Sequence, residues 1–239
     1  MSIELRYFGI SFFQIRLENG RIILIDPCIT LNPFCPVGID EVKYPDAVLV
    51  THSARDHIGD TIPIMEGGEG KLVCPRNVKT YVTKKGLTTA DIQVVVAGAE
   101  REVAGIKVKA FETRHGGYIE CDGQYLSDVS LAYMLYLRPD LKILHMGDTA
   151  LYSDLKMIGE IYQPNIVLAP IGLFRGFFVE LNPYEASLAI SWLKPKIVIP
   201  MHYDLESEAD SPDQFISHVK DNAPSTKVIV LRPGQKLEL

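Results

Sequence analysis

Short apolar runs separated by turn residues dominate the first part of the chain. Glu4–Phe8, Phe12–Leu17 and Arg21–Ile25 are apolar or alternating, and Asn19-Gly20 between the last two is a strong hairpin signal. Ala47–Val50 is continuously apolar, as expected of a strand buried on both faces. The pattern therefore predicts strands at all four runs. It predicts further strands at Lys71–Cys74, Ile92–Val96 and Ile106–Phe111.

Strands alternate with helices in the rest of the chain. Helical spacing covers Leu151–Ile161, and Asn182-Pro183 is typical of a helix start, because Asn suits the cap and Pro the first turn. Such an order predicts an α/β fold in which helices cover the outer faces of sheets. The other predicted helices are residues 75–84 and Pro212–Asn222, and the other strands are Ser130–Leu137, Lys142–Met146, Asn165–Ala169, Lys196–Pro200 and Lys227–Leu231.

Length and composition indicate one globular domain covering residues 1–239. The chain is 47% hydrophobic and 23% charged, as ordinary globular proteins are. Its net charge of −6 argues against nucleic acid as a partner, because phosphate backbones require a basic surface. No apolar run approaches the roughly 18 residues needed to span a membrane. With four cysteines, none in a C-x-x-C pair, we expect a cytoplasmic protein with reduced thiols and no membrane partner.

Candidate metal ligands lie just past the ends of four predicted strands. The carboxyl ends of strands are where layered α/β folds bind ligands. Imidazole and carboxylate groups together suit Zn²⁺, Mn²⁺ or iron. The candidates are His52, Asp56, His57, His115, Asp148 and His202.

These residues occur in segments that resemble a known family. Thr51–Asp60 resembles the His-x-His-x-Asp-His motif of the metallo-β-lactamase superfamily, and Gly147–Thr149 resembles its bridging aspartate motif. Ile199–Tyr203 resembles the final histidine motif, and His115 stands where the family has its middle histidine. Leu24–Pro27 resembles the stretch before the first motif. The residues within these motifs are most similar to those of L-ascorbate-6-phosphate lactonase-like hydrolases.

The resemblance implies a four-layer αβ/βα sandwich with two adjacent metal sites. The first site would comprise His52, position 54 and His115, and the second Asp56, His57 and His202, with Asp148 shared between them. The chain departs from the family at Ala54, since a methyl group cannot coordinate a metal. We therefore expect the second site to bind metal more tightly. Ile10 is another departure, because relatives often carry histidine there.

The implied function is metal-dependent hydrolysis of a small ester, lactone or phosphodiester, including anionic substrates. Zinc is the expected cofactor, as one or two ions, with manganese and iron as alternatives. Asp56 and Asp148 are the candidate catalytic residues: Asp56 would orient the nucleophile, and Asp148 would hold the metal and accept a proton. Two alternatives stay open, a nucleic-acid phosphodiesterase of the same fold and a non-catalytic binding protein with a degraded metal site. A homo-oligomer is also left open.

Other polar residues have two interpretations each. His145 is interpreted as a core residue or a neighbour of the ligands, and His218 as a surface residue. Asp60 suits either a helix start or a contact to the ligand loop. Arg55 and Arg114 could clamp an anion or form surface ion pairs. The aromatic loop of Phe174, Phe177 and Phe178 could line a cleft or pack in the core.

Overall fold

Two seven-stranded mixed sheets form the centre of the protein. The structure, a computed structural model, describes residues 2–88, 90–172, 180–203 and 211–239. The strands of the first sheet are β1 (Glu4–Gly9), β2 (Phe12–Arg16), β3 (Ile22–Ile25), β4 (Ala47–Leu49), β5 (Lys71–Cys74), β6 (Asp91–Val94) and β14 (Lys236–Glu238). Their order is β14-β1-β2-β3-β4-β5-β6, and the β3–β6 part is parallel.

The second sheet also combines a parallel part with an antiparallel part. Its order is β13-β12-β11-β10-β9-β8-β7, and its β10–β13 part is parallel. The strands are β7 (Glu100–Val103), β8 (Ile106–Cys121), β9 (Gln124–Arg138), β10 (Leu141–His145), β11 (Ile166–Pro170), β12 (Ile197–Met201) and β13 (Lys227–Val228).

Helices cover both outer faces. They are α1 (Arg55–Ile58), α2 (Thr61–Met65), α3 (Arg76–Lys84), α4 (Asp154–Tyr162), α5 (Pro183–Leu193) and α6 (Pro212–Asn222), with a 3-10 turn at Ile39–Glu41. One apolar cluster fills the space between the sheets, a second lies under α4, α5 and α6, and a third lies under α2 and α3. The predicted four-layer α/β sandwich is therefore confirmed.

Several strands differ from the prediction, including β9, which begins at Gln124 and not at Ser130. β7 and β14 were not predicted, and β8 continues well past the expected end at Phe111. The prediction that His115 follows a strand is wrong, because it lies inside β8 at a register shift between Glu112 and Gly116. The polar and glycine-rich stretch here has no apolar alternation, and it is held as a strand by pairing with β9. The expected strand Lys227–Leu231 ends at Val228.

No helix in the described ranges is long and apolar enough to cross a membrane.

Candidate metal centre

The turns that follow three parallel strands bring most of the predicted ligands to one end of the sheets. His52 follows β4, and the short helix α1 then carries Asp56 and His57. Asp148 follows β10, and His202 follows β12 directly. This is the edge at which parallel strands present their carboxyl ends, as the sequence predicted.

β8 supplies His115 to the same place from within a strand. The register shift next to His115 breaks the regular ladder between β8 and β9. Such irregularities commonly redirect a side chain beside a functional site. The missing side chain at Gly117 also leaves room for His52, because a Cβ there would lie 3.0 Å from both Cβ and Cδ2 of that histidine.

The turn before Asp148 depends on a glycine and on a buried histidine. Gly147 has φ +59°, and a Cβ there would lie 2.6 Å from the Leu131 carbonyl oxygen. Its amide donates to His145 Nδ1 at 3.1 Å, and His145 Nε2 donates to the Ser11 carbonyl at 3.0 Å. His145 is fully buried, so its role is to hold this turn from the core.

His202 is held by its backbone in a left-handed conformation. Its φ is 52°, a region that costs a non-glycine residue about 1 kcal/mol. The His202 amide donates to the Ile10 carbonyl at 2.8 Å, and the Tyr7 hydroxyl donates to the same oxygen at 3.1 Å. The backbone of Ile10 thus positions His202, whatever side chain stands there.

Asp148 lies at the centre of the cluster. Zinc–nitrogen bonds of about 2.0–2.1 Å in a tetrahedron place neighbouring ligand atoms roughly 3.3 Å apart. The cluster has comparable spacing, so it has room for a metal ion between its members. The distances from Asp148 Oδ2 to the Nε2 atoms are 3.0 Å for His57, 3.3 Å for His202, 3.8 Å for His115 and 3.9 Å for His52.

Asp56 completes the group expected for the second site. Its Oδ2 lies 3.4 Å from His202 Nε2 and 3.8 Å from His57 Nε2. One ligand atom of each of these three residues lies within 4.8 Å of the others. The Asp56 side chain is 32% exposed, so it faces the open side of the cluster.

Several buried polar atoms of the cluster have no hydrogen-bond partner among the described residues. They include His52 Nε2, His57 Nε2 and Asp148 Oδ1. Buried polar groups are nearly always satisfied, and an orphaned group calls for an explanation such as a bound ion. Imidazole nitrogens and carboxylate oxygens that converge without protein partners fit a divalent metal.

Asp26 and Thr51 determine which histidine nitrogens face the cluster. Asp26 Oδ2 lies 2.8 Å from His57 Nδ1 and accepts from the Thr51 hydroxyl at 2.8 Å. Because that hydroxyl gives its proton to Asp26, it can accept from His52 Nδ1, 3.0 Å away. Nδ1 then carries a proton in both histidines, which leaves Nε2 as the nitrogen that would bind a metal.

The carboxylates divide the histidines into two electrostatic classes. Burial lowers the pKa of His57 and His202, but nearby carboxylates, first among them Asp148, hold both pKa values well above the usual range. Burial dominates for His52 and His115, whose pKa values are lowered. The negative electrostatic potential is therefore strongest beside Asp56, His57 and His202, and it favours a cation there.

A cavity of about 410 Å³ opens over the cluster. Its wall includes Ala54 and the exposed Arg55, and the outer part of the β8–β9 hairpin adds Tyr118 and Tyr125. The two tyrosine rings pack edge to face with centroids 5.5 Å apart. The cavity is large enough for a small molecule and has an aromatic rim.

Two acidic residues of the site were missed by the sequence analysis. Asp26 lay in a segment recognised only by resemblance, and its role depends on a contact with His57, 31 positions away. Glu180 belongs to no motif. It is 2% exposed, and its Oε2 lies 3.3 Å from His202 Nδ1. No local signal predicts such long-range contacts.

The remaining candidates lie outside the cluster. Asp60 is the residue at which α2 starts, at its N-cap position, but its side chain makes no capping bond; it accepts instead from the amides of Ile29 and Thr30 at 2.7 and 2.8 Å. Arg114 pairs with the exposed Glu112 at 2.8 Å, which favours the surface ion pair.

Two further interpretations concern aromatic contacts. His218 is half-buried on α6, with its ring 5.4 Å from that of Tyr184. Phe174, Phe177 and Phe178 lie outside the described residues.

Comparison with known proteins identifies the family. A family model described as "Beta-lactamase superfamily domain" matches residues 21–203. A "UPF0173 metal-dependent hydrolase" of Methanobrevibacter smithii is 31% identical over 99% of this chain and 97% of its own length. A protein of the same description from Methanosarcina barkeri is 33% identical over 100% of both chains.

A solved structure supports the same assignment. It is described as "a novel metallo hydrolase" of Ignicoccus hospitalis, with a TM-score of 0.83, 29% identity and coverage of 100% of this chain and 99% of the other. The chain therefore belongs to the UPF0173 metal-dependent hydrolases of the metallo-β-lactamase superfamily.

Proposed function

We propose that this enzyme hydrolyses a small ester, lactone or phosphodiester with a metal-activated water, using the cluster around Asp148. This proposal is carried by the convergence of His52 Nε2, His57 Nε2 and Asp148 Oδ1 beneath an open cavity, since these buried atoms have no hydrogen-bond partner within the described part of the chain. We propose His52, Asp56, His57, His115, Asp148 and His202 as ligands. Zinc is the first metal to test, with manganese and iron as alternatives.

Asp56 and Asp148 have different roles in the proposed reaction. A bound divalent metal supplies a hydroxide at neutral pH and polarises the substrate oxygen. Asp56 stays ionised, because the neighbouring His57 and His202 outweigh the effect of burial and lower its pKa. Its partly exposed carboxylate faces the cavity and can orient the attacking water. Asp148, whose pKa is also held low by the histidines against the effect of burial, stays ionised and can hold the metal; its low pKa disfavours a role as proton acceptor.

The rim of the cavity suits a small substrate with a planar or anionic part. Tyr118 and Tyr125 offer apolar ring surface, and Arg55 offers a cation beside the cluster. Lactones are the first class to test, because the motifs resemble those of L-ascorbate-6-phosphate lactonase-like proteins. Ile10, where relatives often carry a histidine near the substrate cleft, weakens the transfer of the lactonase substrate itself.

Neither alternative function gains support from a specific observation. The net charge of −6 disfavours a nucleic-acid phosphodiesterase. A degraded binding protein is disfavoured by the orienting contacts of Asp26 and Thr51, which keep the histidines ready for metal.

The test is hydrolysis of an aryl ester, a lactone and an aryl phosphodiester by protein purified without chelator. We expect turnover that is lost with chelator, restored by Zn²⁺ or Mn²⁺, and abolished by His57→Ala. His218→Ala is the control and should keep its activity, because that ring packs on Tyr184 and belongs to none of the candidate ligand groups. Turnover that survives both chelation and His57→Ala would contradict the proposal.

A further inference from the structure

The first site lacks one donor although its surroundings are intact. Ala54 lines the same cavity as His52 and His115, and its methyl group cannot bind a metal. His52 Nε2 is buried and has no hydrogen-bond partner among the described residues. Catalytic zinc sites typically use three protein ligands and keep one position open. A second metal therefore needs a donor from elsewhere in the chain.

Glu180, three positions before the start of α5, lies next to this gap. It lines the same cavity and is 2% exposed. One of its carboxylate oxygens lies within 4.8 Å of ligand atoms of His115 and Asp148, and these are mutually as close. Its Oε2 accepts no hydrogen bond of good geometry from the described residues. A buried carboxylate thus points into the first site without a full complement of partners.

The chain that follows Glu180 holds it in place. Leu181 is fully buried in the apolar cluster beneath α5. Asn182 caps that helix by accepting from the Glu185 amide at 2.9 Å, and Glu185 accepts in return from the Asn182 amide at 3.4 Å. Glu180 is therefore anchored within two positions of a capped helix start.

The charge balance also requires a cation near Glu180. Its one charged neighbour among the described ion pairs is His202, whose Nδ1 is 3.3 Å away. His202 Nε2 also lies 3.3 Å from Asp148 and 3.4 Å from Asp56. His57, which lies 3.0 Å from Asp148 and 3.8 Å from Asp56, adds at most a second positive charge for these three carboxylates. A buried carboxylate without a balancing charge is unfavourable, and a bound divalent cation removes that cost.

We propose that Glu180 supplies the metal ligand that position 54 lacks. The first site then comprises His52, His115 and Glu180, and it shares Asp148 with the second site. This inference rests on the metal centre of the proposed function. An oxygen donor in place of imidazole makes the first site more negative and shifts its preference from Zn²⁺ towards Mn²⁺.

The test is metal content and affinity in the variants Glu180→Gln, Ala54→His and the two combined. Wild-type protein should bind two Mn²⁺ per chain, measured by elemental analysis and by calorimetric titration. Glu180→Gln should leave the affinity of the second site for metal unchanged and lower the affinity of the first site by about 100-fold or more. Even residues that only contact a ligand contribute about 10–100-fold to metal affinity. Adding Ala54→His should restore the second metal, with preference returning to Zn²⁺.

A matched control removes a charge from the same cavity. Glu120 lines the wall but is exposed, and its Oε1 accepts from the Gly123 amide. Glu120→Gln should leave the metal content at two. Thermal unfolding of each variant checks that the fold is retained.

Each other outcome overturns the inference in a distinct way. Weakening of the tight metal by Glu180→Gln, without rescue by Ala54→His, would show that Glu180 acts only by positioning His202. Unchanged metal content in Glu180→Gln, or a single metal in the wild type, would show that Glu180 is not a ligand. A wild-type chain that binds no metal would overturn the proposed function as well.

Discussion

At the scale of single residues, Asp26 and Thr51 set the state of the proposed ligands before any metal binds. Asp26 Oδ2 lies 2.8 Å from His57 Nδ1 and accepts a hydrogen bond from the Thr51 hydroxyl at 2.8 Å. The same hydroxyl lies 3.0 Å from His52 Nδ1. Two imidazoles are thus oriented through one buried carboxylate. Such outer contacts raise the basicity of a ligand and fix its ring.

Asp26→Asn should therefore lower metal affinity by about 10–100-fold, measured by competition with a chromogenic chelator. Asp60→Asn is the matched control: it also alters a buried carboxylate near this loop, but its partners are Ile29 and Thr30, not a histidine. We expect the control to lose stability while keeping its metal affinity. Equal losses of affinity in the two variants would refute an orienting role for Asp26.

Protonation of His57 and His202 should compete with metal binding. Nearby carboxylates, Asp148 first among them, outweigh burial and hold both pKa values well above the ordinary histidine range, so both rings favour the imidazolium form in the metal-free protein. Metal binding must displace a proton from each ring, and affinity should therefore rise with pH through and beyond the ordinary histidine range. Calorimetry in buffers of different ionisation enthalpy should detect proton release on metal binding. Binding without proton release would contradict this electrostatic account.

At the scale of elements, the long hairpin of β8 and β9 connects the two sheets at the site. β8 carries His115 at its register shift, and Gly117 lies against the His52 ring, which belongs to the other sheet. The fit between strand and ring therefore holds the first site together.

Gly117→Ala should weaken the first site more than the second. The added Cβ would stand 3.0 Å from two carbons of His52, so that ring has to move. Gly38→Ala is a suitable control, because the nearest atom to its Cβ is a flexible Glu41 oxygen at 3.9 Å. Elemental analysis should show loss of the weaker metal in Gly117→Ala only. Retention of both metals would mean that His52 is not a required ligand.

The elements also show how far local sequence can predict this protein. The buried strands and capped helices were predictable, because apolar runs and the Asn182-Pro183 start are local signals. The outer part of β8 and the edge strand β14 were not, since cross-strand pairing holds them. The six proposed ligands stood in recognisable motifs. Glu180 and Asp26 act through contacts across the fold, which no local pattern encodes.

At the scale of the whole molecule, two similar sheets meet at one end and leave a cavity there. The chain carries a net charge of −6, and Arg55 is a cation in the cavity wall. This distribution suits a small anionic substrate guided by one local cation, and it opposes a polyanion that needs a wide basic surface.

Salt dependence tests this description of the surface. Hydrolysis of a small aryl phosphodiester should change less than about twofold between about 50 and 200 mM salt, whereas proteins with 6–10 phosphate contacts lose about 10³–10⁵ in affinity. Fluorescence anisotropy with labelled single-stranded RNA should detect no binding at micromolar protein. Tight RNA binding with a steep salt slope would instead favour the nucleic-acid phosphodiesterase.

The central claim, a metal centre around Asp148, is tested most directly by anomalous diffraction above and below the metal edge. The crystals would come from protein purified without chelator and supplied with Mn²⁺ or Zn²⁺. The account predicts a fully occupied peak bounded by Asp56, His57, His202 and Asp148, and a second, weaker peak next to His52 and His115. The absence of any anomalous peak within the cluster, with these side chains ordered as described, would contradict it.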